Sequence, residues 1–121
     1  MSAIAKTPKP PYYAVIFTST LASTLASTLA STGIDEHLGY GETANRMVEL
    51  AAQQPGFLGI ESARDASEIS LGITVSYWSD LESIQQWKAN VEHLEAQRHG
   101  HELWYQSFKV RISKVERDYG I

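Results

Sequence analysis

The sequence predicts an α+β fold whose elements follow one another in the order β-α-β-β-α-β. Four segments in which β-branched and aromatic residues run together or alternate with polar ones indicate strands, at about 12–19, 57–64, 69–78 and 107–115. Two segments with apolar residues at helical spacing indicate helices, at about 40–54 and 80–98. This order is that of the ferredoxin-like arrangement, in which two helices cover one face of a four-stranded antiparallel sheet.

The chain of 121 residues is long enough for one domain with its own core. Residues 1–11 contain three Pro and two Lys and no long apolar segment, so we predict a mobile N-terminal arm. The domain is expected to span residues 12–119. Its first strand, Tyr12 to Ser19, is apolar on both faces, and such a strand is usually covered on both sides.

A low-complexity segment follows the first strand. The unit Ser-Thr-Leu-Ala starts at Ser19 and repeats at Ser23 and Ser27, which gives an insert of about residues 20–32. A helix would align every Leu in one stripe, an extended strand would place every Leu on one face, and a mobile loop is a third possibility. Identical units carry no specific group of side chains, so we expect no chemistry from them.

The central elements follow from periodicity and from breakers. Pro55-Gly56 is expected to end the first helix, and a short turn after Arg64 joins the next two strands into an antiparallel hairpin. In the second strand of that hairpin, apolar residues alternate with small or polar ones. The hairpin therefore has an apolar face (Leu71, Ile73, Val75, Tyr77) and a small, polar face (Ser70, Gly72, Thr74, Ser76).

The second helix begins directly after a strand. Ser79 and Glu82 have the spacing of a capping box, in which each side chain bonds a free backbone N–H of the first turn. The inward face of this helix is expected to carry Leu81, Ile84, Trp87, Val91 and Leu94. In the last strand, Phe108, Val110 and Ile112 alternate with Lys109, Arg111 and Ser113, so the two sets lie on opposite faces.

Composition excludes several classes of protein. With no Cys, the chain forms no disulfide and no thiolate metal site, which fits a cytoplasmic location. A net charge of −4 argues against binding to nucleic acid. The apolar runs are shorter than the roughly 20 residues that span a membrane. We therefore expect no nucleic-acid or membrane partner, and a homodimer in which a second copy covers the sheet face that the helices leave open.

Three stretches together resemble the antibiotic biosynthesis monooxygenase family. They are Pro55-Gly-Phe-Leu-Gly-Ile-Glu-Ser, Ile73-Thr-Val-Ser-Tyr-Trp, and the helix with Trp87, His93 and Ala96-Gln-Arg. The resemblance covers about residues 12–119 apart from the repeats. It implies a dimeric α+β barrel with a pocket between the sheet and the helices of each subunit. Members include oxygenases that use no cofactor, quinol oxygenases and haem-degrading enzymes.

The resemblance implies a monooxygenase that acts without a cofactor on a small aromatic molecule of the phenol or quinol type. Such a reaction needs an apolar pocket and a base, and His93 is the candidate base. Simpler interpretations exist for each residue: Trp87 as a core residue, His93 as a surface residue, and Trp104 in the dimer interface. The candidate pocket residues are Phe17, Trp78, Trp87, Gln97 and Trp104.

Other binding chemistry has weaker sequence support. In haem-degrading relatives, a Trp at the position of Trp87 acts with a His ten residues later and an Asn on the first strand; here the later position is Gln97 and the strand has no Asn. His99 and His101 have no third ligand at suitable spacing, so no metal site is expected. Arg111 is a candidate partner of Glu61, and Arg64 a candidate ligand of an anionic substrate group. A ligand-binding or stress-associated dimer without catalysis is the main alternative function, and a protein that binds or degrades haem is a further one.

Overall fold

The computed structural model of the protein describes residues 4–21, 47–65, 71–98 and 105–121, with no side-chain description for residues 21, 91–98 and 105–106. The chain forms strand β1, a helix α1 that is described over residues 47–52, a hairpin of β2 and β3, helix α2 and strand β4. The strands and the second helix have these bounds: β1 Tyr12–Leu21, β2 Phe57–Arg64, β3 Leu71–Trp78, α2 Leu81–Arg98 and β4 Tyr105–Val115.

The four strands form one antiparallel sheet in the order β2-β3-β1-β4. The two central strands, β3 and β1, are far apart in sequence, and the two edge strands flank them. The predicted α+β, ferredoxin-like arrangement is confirmed. None of the helices among the described residues is long and apolar enough to span a membrane.

The strand register divides the side chains between two faces. Tyr13 lies opposite Trp78 on one side and Lys114 on the other, while Ala14 lies opposite Tyr77 and Ser113. The face of Trp78 is called the helix face here, because Trp78 forms a buried cluster there with Ala51 of α1 and Ile84 of α2. The opposite side, with Ala14 and Tyr77, is the outer face.

The small, polar face of β3 is the one that meets the helices. Its apolar counterpart lies on the outer face, where Ile73 is 44% exposed. The reason is Trp78, which shares the helix face with the small residues and is completely buried. Its indole N–H donates to Ser76 Oγ at 2.8 Å, so the polar residue below the ring satisfies the buried donor.

The core lies between β3 and the two helices. Around Ala51, Trp78 and Ile84, four partly buried residues pack against the cluster: Tyr13, Val15, Phe57 and Trp87. The expected inward position of Leu81 is wrong, since this residue is 49% exposed and Ser83 is buried instead. Leu81, the first residue of α2, lies on the water-facing side of the first turn, whereas Ser83 and Ile84 face the core.

The cap of α2 also differs from the predicted capping box. Asp80, not Ser79, is the residue before the helix, and its Oδ1 accepts the backbone N–H of Ser83 at 2.7 Å. Ser79 Oγ bonds the other carboxylate oxygen of Asp80 at 2.8 Å. A carboxylate is a better acceptor than a hydroxyl for a backbone N–H at the positive end of a helix. These bonds lower the pKa of Asp80 below its usual value, the Ser83 backbone bond contributing most.

The Pro-Gly turn after α1 fixes the approach of the two helices. Gly56 has a φ of +83°, a conformation that disfavours residues with a side chain. Its carbonyl accepts the N–H of Ser79 at 2.8 Å, and a Cβ added at Gly56 would collide with the Ser83 hydroxyl. The turn therefore packs against the first turn of α2, and only glycine fits there.

The structure describes only the start of the repeat insert. β1 continues to Leu21, so the first residues of the first repeat unit belong to the sheet, and Ser19 is buried. Residues 22–46 lie outside the described ranges, so the conformation of the repeats stays a prediction.

The N-terminal arm contacts the outer face of the sheet. The backbone N–H of Ala5 donates to Glu61 Oε2 at 2.8 Å, and Thr7 Oγ1 donates to Tyr12 Oη at 3.0 Å. The mobility of the arm and the domain limits stay predictions. The suggested pairing of Arg111 with Glu61 is wrong, because β2 and β4 are opposite edges of the sheet and Glu61 bonds Ala5 and Tyr77 instead.

Candidate functional site

The helix face of the sheet divides into two halves. The closed half consists of β2 and β3, and it carries Phe57 and the buried Trp78 beside α1 and α2. The open half consists of β1 and β4. Here the helix-facing side chains of β4 remain about half exposed: Phe108 at 44%, Val110 at 48% and Ile112 at 51%.

The open half presents a continuous apolar surface. Phe17 of β1 stacks on Phe108 of β4, with ring centroids 5.5 Å apart and planes at 24°. Val110 lies opposite Phe17 in the register, and Ile112 lies opposite Val15. Phe17, Phe108, Val110 and Ile112 are called the apolar floor here. A flat, uncharged ring system could lie on this surface, because stacked and edge-on aromatic contacts favour planar ligands.

A stack of aromatic rings joins the sheet to α2. Trp87 lies against Trp78 with ring centroids 6.1 Å apart and planes at 27°, and Phe57 meets Trp78 edge-on at 5.4 Å. Trp78 is fully enclosed, so it supports Trp87 from behind and offers no surface to a ligand. Trp87 is only partly buried and is the accessible member of the stack.

The remaining predicted site residues lie beyond the described side chains. His93 and Gln97 lie on α2, six and ten residues after Trp87. For this part of the helix only the backbone is described. Trp104, His99 and His101 lie outside the described ranges altogether. The structure therefore places Phe17 and Trp78 on the same face of the sheet and Trp87 against Trp78. The pocket roles of these three residues stay predictions, as do the roles of His93, Gln97 and Trp104.

The sequence prediction missed the contribution of β4 to this surface. Alternation along the strand predicts that one face carries Phe108, Val110 and Ile112. It does not predict that this face contributes to the pocket. The signal needed was the pairing partner of β4, because only the register with β1 sets Phe108 beside Phe17. Alternation within one strand identifies two faces but does not say which one the helices cover.

The described helix face has few ionisable groups. On this face, the register places Arg64 opposite Gly72 and Lys114 opposite Tyr13. Together with Tyr13 itself, these are the ionisable residues among the described side chains at the paired strand positions. These positions hold no carboxylate and no imidazole. Searching the described residues for three or more His, Cys, Asp or Glu that could hold a metal also finds none.

The outer face carries a polar cluster around two tyrosines. Tyr77 Oη donates to Glu61 Oε1 at 2.7 Å, and Tyr12 Oη donates to Asp118. Burial, helped by the bond to Glu61, raises the pKa of Tyr77 to about 12, and the bond to Asp118 raises the pKa of Tyr12. Both phenols are therefore protonated donors at neutral pH, and the bonds of Tyr12 hold Thr7 and Asp118, which lie near the two ends of the chain.

Known proteins resemble this chain in sequence and in fold. The uncharacterised protein YqjZ of Bacillus subtilis is 48% identical over 117 residues, covering 97% of this chain and 90% of that protein. SnoaB, a cofactor-independent oxygenase from Streptomyces nogalater, has a TM-score of 0.67 at 12% identity over 90% of this chain and 97% of its own. A protein from Pseudomonas aeruginosa has a TM-score of 0.64 at 20% identity over 93% and 99%.

The structural likenesses, at these low identities, concern the fold alone. The sequence pattern of the antibiotic biosynthesis monooxygenases matches residues 36–99, a segment that includes the Pro-Gly turn, the hairpin and α2. With this match over more than half of its length, the chain belongs to the antibiotic biosynthesis monooxygenase family.

Proposed function

We propose that the protein is a monooxygenase that uses no cofactor and acts on a small aromatic molecule of the phenol or quinol type. The observation that carries this proposal is the apolar floor, whose β4 residues are about half exposed in a chain of this family. The solved relative SnoaB is itself a cofactor-independent oxygenase with the same fold.

Oxygenation without a cofactor requires an electron-rich substrate anion. A base removes a proton from the substrate, and the anion then passes electrons to O₂. For an anthrone, one oxygen atom becomes the new carbonyl oxygen, and the other leaves as water with the two hydrogens of the CH₂ group. The protein must hold the ring, accept the proton and keep water away from the anion.

The apolar floor is suited to holding the ring and to keeping water away from the anion. Phe17 and Phe108 offer a stacked pair for a planar ring, and Val110 and Ile112 extend the water-excluding surface. The strand positions of the helix face that the structure describes offer no carboxylate or imidazole. In this proposal the base is therefore His93 of α2, whose ordinary pKa suits proton abstraction near neutral pH.

The test is oxygen uptake with a panel of hydroquinones and anthrones. We expect turnover of at least one compound, and His93→Gln should lower kcat about 100-fold or more, as expected for loss of a general base. His99→Gln is the matched control and should retain activity. Wild-type protein without turnover on the whole panel would contradict the proposal, and unchanged kcat in His93→Gln would remove His93 from it.

The shortage of ionisable groups at the described strand positions of the helix face favours a second candidate, a ligand-binding protein without catalysis. In that case an aromatic compound such as an anthrone raises Tm without oxygen uptake. Phe108→Ala should weaken this stabilisation, because it removes one half of the stacked pair. Stabilisation together with oxygen uptake would decide for the oxygenase.

We propose further that two copies of the chain pair through their outer faces. Ile73 is 44% exposed there, and Val75 and Ile16 beside it are only partly buried. A central pair of strands with apolar residues on both faces is expected to be covered on both sides. Sedimentation should give a dimer at micromolar concentration for the wild type and a monomer for Ile73→Lys, while Ile112→Lys on the helix face stays dimeric. A monomeric wild type would contradict this proposal.

A further inference from the structure

The outer face of the sheet carries opposite charges at its two edges. The strand register aligns one residue of each strand in a row across this face: Glu61 of β2, Val75 of β3, Ile16 of β1 and Arg111 of β4. An acid therefore lies at one edge and a base at the other, with two aliphatic residues between them. Neighbouring strands are about 4.8 Å apart, so roughly 14 Å separates the Glu61 and Arg111 positions within one chain.

The next row along the strands has a similar centre and a second cation. It consists of Ala63, Ile73, Thr18 and Lys109, in the order of the strands. Its β2 position is the small Ala63, and its central residue Ile73 is 44% exposed. At these two rows the outer face is therefore positive along β4 and negative along β2.

The carboxylate of Glu61 is held in place by neutral donors. Its two oxygens accept the Tyr77 hydroxyl at 2.7 Å and the backbone N–H of Ala5 at 2.8 Å. These donors orient the carboxylate without carrying a positive charge. A carboxylate has about four acceptor positions, so each oxygen can take a further bond. Glu61 can therefore accept a guanidinium that approaches the outer face from a second molecule.

The N-terminal arm covers a different part of this face. Ala5 packs over Gly59, where an added Cβ would come within 2.9 Å of the Ala5 methyl carbon. Tyr12 lies at the same end of the sheet and is only 4% exposed. By contrast, Ile73 and Arg111 at the charged rows are exposed. The exposed, apolar-centred part of the outer face is therefore also the part with charged edges.

Two copies that pair through their outer faces in a closed dimer are related by a two-fold axis. The axis lies between the two sheets and runs either along the strands or across them. An axis along the strands, midway between β1 and β3, sets β2 of each copy over β4 of the other. An axis across the strands sets β4 over β4, so that Lys109 and Arg111 lie over the same strand of the partner. That arrangement brings like charges together and opposes association.

We infer that the two copies pair about the axis along the strands, so that Glu61 of each copy bonds the partner's Arg111. This inference rests on the proposed pairing through the outer faces and adds its orientation. Val75 of each copy then packs on the partner's Ile16, and a symmetric pair of charge contacts flanks this apolar centre. Facing sheets lie about 10 Å apart, a gap that an Arg and a Glu side chain bridge from opposite sides.

The arrangement also satisfies the groups that association buries. Arg111 is exposed in the single chain, and covering its charge without a counter-charge would be unfavourable. The fork of N–H groups on a guanidinium matches the two oxygens of a carboxylate. The arm over Gly59 faces the partner's Ser113, because these two positions belong to one row of the register. The small side chain at that position leaves room for the arm.

The test exchanges charges between two chains and measures the dimer Kd by sedimentation. Arg111→Glu alone sets each new carboxylate against Glu61 of the other copy, and it should raise Kd about 100-fold or more. Glu61→Arg alone sets guanidinium against guanidinium and should have a similar effect. An equimolar mixture of the two variants should form a heterodimer with a Kd within about ten-fold of the wild-type value. The heterodimer contains one native charge pair and one reversed pair.

Lys114→Glu is the matched control, because it makes the same change of charge on the helix face of β4. It should dimerise like the wild type and should gain no affinity for Glu61→Arg. Urea unfolding checks that each variant is folded. If Glu61→Arg unfolds because it loses the bonds to Tyr77 and Ala5, the comparison of Arg111→Glu with Lys114→Glu still decides the orientation.

The outcomes separate the orientation from the pairing itself. An Arg111→Glu homodimer as tight as the wild type, or a mixture of folded variants that stays monomeric, would overturn the orientation. A tighter Arg111→Glu homodimer would point to the axis across the strands. In each of these cases, a dimeric wild type and a monomeric Ile73→Lys would leave the pairing through the outer faces intact. A monomeric wild type would contradict both.

Discussion

The closed and open halves of the helix face place similar residues in opposite environments. Trp78 on β3 is completely buried against both helices, whereas Phe108 on β4 stacks on one neighbour and stays 44% exposed. Both are large aromatics on the same side of one sheet. We conclude that the closed half holds the fold together, while the open half leaves apolar surface exposed for the ligand that we propose.

Truncating one aromatic in each half should give the largest contrast. Trp78→Ala removes a fully buried ring and is expected to lower the free energy of unfolding by about 3–5 kcal/mol. Phe108→Ala should lower it by about 1 kcal/mol, because nearly half of the ring already contacts water. Urea unfolding of both variants measures the difference. Equal losses would show that the open half is as tightly packed as the closed half.

The turn that joins the helices of the closed half should be the next most sensitive point. Gly56→Ala forces a side chain into a left-handed backbone conformation and against Ser83, so we expect a loss of about 2 kcal/mol or more. Gly120→Ala is the matched control, since a Cβ there meets nothing within 4 Å. Both are measured by urea unfolding. A stable Gly56→Ala protein would contradict the close packing of this turn.

The outer face behind the closed half should respond to alkaline pH. The fold raises the pKa of Tyr77 to about 12 from an ordinary value near 10, so it favours the protonated phenol. The stability that this provides is fully present below about pH 10 and is lost as the pH rises toward about 12. Absorbance titration of the phenols should show a late step that disappears in Tyr77→Phe and remains in Tyr119→Phe. A late step that persists in Tyr77→Phe would assign it to another tyrosine.

The cap of α2 should give the smallest effect, at acid pH. The folded protein lowers the pKa of Asp80, so the carboxylate contributes stability above its unfolded pKa, near 3.9, and this contribution is lost as the pH falls through the lower folded value. Asp80→Asn should therefore reduce Tm at neutral pH and flatten its decline below about pH 4.

Glu82→Gln is the control for this experiment, because Glu82 belongs to the capping box that the structure does not form. We expect its Tm profile to follow that of the wild type. If Glu82→Gln reproduced the effect of Asp80→Asn, the assignment of the cap to Asp80 would be incorrect.

Local sequence signals predicted the elements well and their partners poorly. The alternation in Leu71 to Trp78 and the spacing of Ile84 and Trp87 are local properties, and the corresponding strand and helix are confirmed. The capping-box pattern places the cap at Ser79, whereas Asp80 caps the helix in the structure. Which residue caps the helix depends on where β3 ends and on the turn at Gly56, and both are set by packing.

Local sequence patterns likewise do not predict which face of each strand meets the helices. Alternation shows that Ile73 and Trp78 lie on opposite sides, but a single strand does not reveal which side is covered. The size of Trp78, together with Ala51 and Ile84, makes its side the buried one. As a result, the more apolar side of β3 faces outward, where we propose that a second copy covers it.

The α+β class, the β-α-β-β-α-β order and the inward position of Trp87 on α2 follow from the sequence, since they depend on periodicity along the chain. The tertiary structure alone decided which residues share a surface. Phe17 and Phe108 are 91 positions apart in the sequence, and so are Thr18 and Lys109. Only the antiparallel pairing of β1 with β4 brings each pair together, because strand register is set by contacts between distant segments.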